Sequence, residues 1–176
     1  MTISNTDFAI VNSYQLSIAK LPSVSFFSTK ASLPGLSLTA IGQETPYRNV
    51  PQAGTNLALE SFSIDFYVDK LYNNYIAAMQ WIIALGRTDD SLYDQFLQSN
   101  LIQSTVGESF ADSSDGSLIV YTTNNNPSLE VVYHDMIPTR LSTPVLVEST
   151  TNQVKYLQAT MSFDYSYFDI NQLNGL

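Results

Sequence analysis

The chain has 176 residues, with 7 basic and 16 acidic side chains for a net charge of −9, no cysteine, 44% apolar residues and 13% charged ones. Without cysteine there are no disulfides and no thiolate metal sites, and so few cations argue against gripping DNA or RNA through its phosphates. The apolar content is that of a globular protein, expected as a single domain over 1–176 with its core at about 14–170. The charged fraction is about half the usual ~25%, which leaves the surface to Ser, Thr, Asn, Gln and 11 tyrosines. Such a surface suits contact with other proteins, and it also suits an ordinary β-rich domain.

The N-terminal stretch MTISNTDFAIVNSYQL lacks the basic start and apolar run of a secretory signal. The longest apolar stretch, YIAAMQWIIAL, is too short to cross a bilayer and is interrupted by Gln80. A soluble chain made in cytoplasm is expected, with no membrane partner. Tyr14 to Lys20 and Val24 to Lys30 read as strands, with Pro22 marking a turn between them. LPGLSLTAI, from Leu33, opens on a Pro-Gly turn and continues as a short strand. GQETPYRNVPQAGTN then reads as a long polar loop, of the kind that is functional in a compact domain.

Leu57 to Asp69 carries the clearest strand pattern, with Phe62, Ile64, Phe66 and Val68 alternating with Ser61, Ser63, Asp65 and Tyr67. The period then lengthens: Leu71, Tyr75, Met79, Ile82 and Leu85 predict a helix over 70–85. Asp69 is expected to cap its start and Gly86 to follow its last turn, with Trp81 packed on the sheet. From Arg87 to Gly116 the pattern weakens, with DDSLYDQFLQ as a possible short helix. SLIVYTT and LEVVYH flank NNNP as a hairpin, and Thr139 to Val147 reads as an edge strand broken by Pro144. A long final strand alternates Leu157, Ala159, Met161, Phe163, Tyr165 and Tyr167 with Gln158, Thr160, Ser162, Asp164 and Ser166. The expected class is mainly β: a β-sandwich or rolled barrel with one major helix packed on it.

Catalytic equipment is scarce. His134 is the only histidine; with Asp135 it could form a base and its orienting partner. No Gly-x-Ser-x-Gly elbow or cysteine supplies a nucleophile, so a hydrogen-bonded strand-end histidine is expected. Asp89, Asp90, Asp94, Glu108, Asp112 and Asp115 gather where the pattern is weakest, as solvated loop acids do. DSSDG at 112–116 lacks the ligand spacing of an EF-hand, and no glycine motif cradles a phosphate. No enzyme activity, cofactor or metal is expected.

The succession LPGLSL, YRNVPQAG, FSIDFYVDKLYNNYIAAMQWIIALG, SLIVYTTNNNPSLEVVYHDMIPTRLS and VKYLQATMSFDYSYFDI resembles the tail-tube proteins of contractile-tailed bacteriophages. Within that family it is most similar to the tube terminator, or tail completion, proteins of T-even-type phages. The likeness runs from Tyr14 to Ile170 and departs at Lys70, where the terminator pattern has an acid. The resemblance implies a tail-tube-like fold and a homohexameric ring. That ring would end the tail tube at the neck of the virion, against tube, sheath or sheath-terminator and neck proteins. DNA would pass through without specific binding. It also admits a repeating tube subunit or a baseplate-end initiator ring, while the residues alone leave open a carbohydrate-binding β-sandwich. On this reading Ser61, Ser63, Asp65, Ser162, Asp164 and Ser166 are candidates to face the lumen. Glu44, Pro46, Tyr47, Arg48, Pro51 and Gly54 are candidates for a loop reaching a neighbouring subunit.

Overall fold

A computed structural model describes residues 13–44, 47–86, 113–144 and 156–173. The elements in chain order are β1 (Ser13–Ile18), α1 (Pro22–Phe26), β2 (Ser28–Ala31), β3 (Leu36–Glu44), β4 (Asn49–Leu59) and β5 (Phe62–Tyr67). They are followed by α2 (Asn73–Gly86), β6 (Ser114–Tyr121), β7 (Pro127–Leu141), β8 (Gln158–Asp164) and β9 (Tyr167–Gln172). Seven strands form one rolled sheet in the order β1-β6-β7-β8-β5-β2, with β9 also paired to β7. Among the described residues, strands β3 and β4 pair only with each other.

The roll is made by β7. Its first part pairs with β6 and β9, and its last part, from Ile137, pairs with β8. At the change-over Asp135 adopts a left-handed φ of 54°, and the register to β6 shifts. An extra residue of this kind bends a strand. Two hydrogen bonds pin the corner: the Asp135 amide donates to Asp115 Oδ1 (3.1 Å), and the Ser166 amide donates to the His134 carbonyl (3.1 Å).

Strand alternation builds the core. Phe62, Ile64 and Phe66 of β5 lie opposite Phe163, Met161 and Ala159 of β8, and all six are buried. Leu16, Ile18, Leu118, Val131 and Tyr133 supply the facing half. The Phe62 and Tyr133 rings meet at 4.5 Å and the Trp81 and Phe163 rings at 6.0 Å. Helix α2 buries Ala77, Ala78, Trp81 and Ala84. Its three alanines let the helix axis come close, and Trp81 fills the remaining space as expected.

Several boundaries differ from the sequence reading. The stretch expected as a strand at 24–30 is a short helix followed by β2, because Pro22 at N1 suits a helix start. The strand expected over 57–69 is two strands parted at Glu60 and Ser61, and the long final strand is likewise β8 and β9, parted at Tyr165 and Ser166. Alternation persists across a corner, so it could not show either break. Thr139 to Leu141 belongs to the end of β7, and 142–144 is not strand; 145–147 lies outside the described residues.

Helix α2 starts at Asn73, three residues late, so Asp69 does not cap it. Buried Asn74 ties the entry instead, accepting from the Asp69 amide (3.2 Å) and donating to the Tyr67 carbonyl (2.8 Å). Tyr72, at φ 60°, turns the chain into the helix. Lys70 therefore sits in the preceding turn and not against the helix dipole. Gly86 is the last helical residue. The expected short helix in DDSLYDQFLQ lies outside the described residues. The hairpin across NNNP forms between β6 and β7, with Asn125 at φ 61°. No described helix is long and apolar enough to cross a membrane.

Candidate assembly surfaces

Two surfaces stand out, one half-buried to exposed and the other exposed, and each gathers residues singled out in the sequence. The first is the outer face of β5 and β8. Their antiparallel register sets Ser63 opposite Ser162 and Asp65 opposite Thr160. Ser61 Oγ donates to Asp164 Oδ1 (2.6 Å) and Thr160 Oγ1 to Asp65 Oδ1 (2.6 Å). Ser61, Ser63, Asp65, Ser162 and Asp164 thus form one hydroxyl–carboxylate face. Ser166 is not on it: it lies at the corner between β8 and β9. The neighbouring strands add what alternation within one strand could not reveal. Lys30 of β2 stands opposite Asp65, and Arg140 of β7 opposite Ser162. Two cations and two carboxylates make the face balanced, although the whole chain carries −9.

The second surface is an arm, and it corrects the expectation of a loop at 42–54. Strands β3 and β4 form an antiparallel ribbon spanning Leu36 to Leu59. Glu44, Pro51 and Gly54 lie on its strands and Tyr47 and Arg48 near its tip, where Tyr47 is 97% exposed; Pro46 lies outside the described residues. The polar, Pro-rich sequence concealed this because an isolated ribbon needs no core-facing alternation on both sides. Gly54 has a steric role: a Cβ there would collide with the Thr39 carbonyl oxygen. The collision falls where the register jumps from Leu38–Leu57 to Ala40–Ala53, leaving a bulge in β4.

The arm has a distinct apolar face. Leu36 opposes Leu59, Leu38 opposes Leu57, and beyond the bulge Ala40 opposes Ala53 and Gly42 opposes Pro51. Every second residue of β3 (Leu36, Leu38, Ala40, Gly42) lies on that side, an alternation visible in LSLTAIG. Leu36, Leu38 and Leu57 remain 54–57% exposed. A lone two-stranded ribbon is marginal in water, so this face asks for a partner.

His134 has hydrogen-bonding partners as expected, but it lies in the middle of β7 and not at a strand end. Its Nε2 lies 3.2 Å from Asp169 Oδ2 and its Nδ1 3.9 Å from Asp115 Oδ2, while its ring stacks on Tyr167 at 4.3 Å. Asp135 turns away to accept from Ser113 Oγ (3.3 Å), so the two do not form a base and orienting pair. These links tie β6, β7 and β9 together at the corner. Among the described residues no group of three His, Asp or Glu could hold a metal ion. Asp89, Asp90, Asp94, Glu108 and Asp112 lie outside those residues. Burial pushes the Tyr133 phenol, and to a lesser extent that of Tyr165, above the usual range. The Tyr133 hydroxyl donates to the Ser32 carbonyl (3.3 Å), a core contact.

No protein-family model and no curated protein matches the sequence. Solved structures do match in fold. A chain of the six-fold symmetrised baseplate of the anti-feeding prophage superposes with TM-score 0.57 at 12% identity, over 99% of both chains. The tube-terminating cap of the same prophage gives 0.54 at 14% identity, over 98% of this chain and 99% of that one. The sheath/tube terminator structure of the extracellular contractile injection system PVC gives 0.53 at 15% identity, over 95% and 99%. The expected mainly β architecture with one major helix is thus the fold this chain shares, over nearly its whole length, with tube and cap components of contractile injection systems.

Proposed function

We propose that this protein is a structural virion subunit: six copies close a ring that ends a contractile tail tube at the neck and forms part of its conduit. The observation that carries the reading is the near end-to-end likeness to a tube-terminating cap and to a sheath/tube terminator structure. The sequence pattern points to the same terminator group. Partners on this reading are the tube subunit, the sheath or its terminator, and neck proteins; no cofactor or membrane takes part. The ring is assembled in host cytoplasm and stays in the tail.

In the ring, the outer face of β5 and β8 lines the lumen. Its hydroxyls, and its two carboxylates set against Lys30 and Arg140, offer a passing polyanion neither a trap nor a strong barrier. The arm, with Glu44, Tyr47, Arg48, Pro51 and Gly54 on it and Pro46 next to Tyr47 in sequence, reaches a neighbouring copy. Closing strands and arms against copies satisfies edges that a single subunit leaves open.

A second reading, a ring at the baseplate end of the tube, is favoured by the likeness to a baseplate chain. Electron microscopy of the purified protein separates them. Single six-fold rings that bind neck and sheath-terminator proteins support the terminator. Rings that bind only baseplate proteins support the initiator, and long tubes overturn both in favour of a repeating tube subunit. A monomer that binds glycans would replace all three with a carbohydrate-binding module.

A further inference from the structure

The polar face of β5 and β8 holds its carboxylates and its cations differently. Across the sheet, Lys30, Asp65 and Thr160 form one row, and Ser63, Ser162 and Arg140 form the next. The carboxylates are tied down. Asp65 Oδ1 accepts from Thr160 Oγ1 and Asp164 Oδ1 from Ser61 Oγ, each at 2.6 Å, the length of a charge-assisted bond. Lys30 and Arg140 are exposed, and neither forms an ion pair among the described residues. Three strand spacings and one row separate their α carbons, about 16 Å. Between them the hydroxyl-bearing Ser63 and Ser162 floor the face.

We infer that Lys30 and Arg140 form a contact for the phosphate backbone of DNA in the conduit, weak and blind to base sequence. The inference rests on the lumen reading of this face given above. Lysine and arginine carry their charge on long stems, and aspartate carries its own on a short one. With both aspartates tied by hydroxyls, an approaching polyanion meets the cations first. At about 0.1 M salt, charges act over about 10 Å. The acids elsewhere on a chain of −9 are then largely screened from a phosphate at this face. Two cations about 16 Å apart suit separate phosphates of one polymer and not a single small anion. Neutralising phosphates in this way releases counterions, so the contact weakens as salt rises. Six copies repeat the pair around the hole, and a duplex in transit exchanges one pair for the next.

Fluorescence anisotropy of the purified protein with a labelled linear duplex tests this. At about 50 mM salt the wild type should bind, and combining Lys30→Gln with Arg140→Gln should weaken binding on the order of tenfold and flatten its salt dependence. Both positions are exposed, so the double variant should keep the wild-type circular dichroism and sedimentation. Lys70→Gln makes the same charge change in the turn before α2, off this face, and should bind as the wild type does. Equal binding by wild type and double variant, negligible binding by both included, would overturn the phosphate contact, as would a comparable loss with Lys70→Gln. Inorganic phosphate that displaces the duplex at matched ionic strength would overturn the polymer contact in favour of a small-anion site. A covalently closed circular duplex cannot thread a ring. If it binds as tightly as the linear one, the phosphate contact stands and the lumen reading falls.

Discussion

Replacing Gly54 by alanine isolates the arm from the rest of the molecule. The new methyl would overlap the Thr39 carbonyl oxygen and lie 3.1 Å from its carbon. Both belong to backbone, so no side chain can swing away, and the ribbon must open at its bulge. Overpacking of this kind costs about 1–3 kcal/mol. The strain has little to draw on, because β3 is exposed along its whole length and β4 nearly so. An isolated ribbon has scant stability of its own. A displaced bulge also changes the register, and a one-residue slip turns the leucine face over. Hydrogen exchange should therefore show loss of protection between Leu36 and Leu59, with Phe62–Tyr67 and Gln158–Asp164 unchanged. The thermal midpoint of the monomer should hold. If the strain reached the core, the same 1–3 kcal/mol would lower the midpoint by about 2–12 °C. A fall of that size, or unchanged protection in the arm, would refute the steric account.

Three other outcomes follow from the packing. Phe163→Ala removes a fully buried ring that meets Phe62 and Trp81, so denaturant unfolding should show a loss of about 3–5 kcal/mol; less than about 1 kcal/mol would mean the core closes over the space. Asn74→Ala deprives the Asp69 amide and the Tyr67 carbonyl of their partner. That should cost about 1–3 kcal/mol, and an unchanged stability would show that solvent takes its place. At alkaline pH the Tyr133 phenol, raised by burial and by Tyr165 beside it, keeps its proton in the folded state. Stability is then flat below the ordinary phenol value of about 10 and falls as pH rises past it, because only the unfolded chain releases the proton. Urea midpoints across that range should show the fall, and Tyr133→Phe should lessen it, leaving the smaller part due to Tyr165, where the exposed-site control Tyr47→Phe does not.

The sequence by itself determined which residues turn inward. Phe62, Ile64 and Phe66, and Ala159, Met161 and Phe163, were legible because a strand has a two-residue period and burial follows it. Trp81 and the helix were legible from the change of period, and the NNNP hairpin from its turn chemistry. Tertiary structure alone decided what lies beside what. Alternation runs through the breaks at Glu60 and Tyr165 without a mark, so only pairing to different neighbours shows that the chain changes direction there. Lys30 and Arg140 reach the polar face through registers with β5 and β8, separations of 35 and 22 residues that no local pattern encodes. The arm hid in a polar, proline-marked stretch because its apolar face meets no core among the described residues. Local pattern reports a residue's preference for water or interior, whereas the identity of its partner is fixed by long-range pairing.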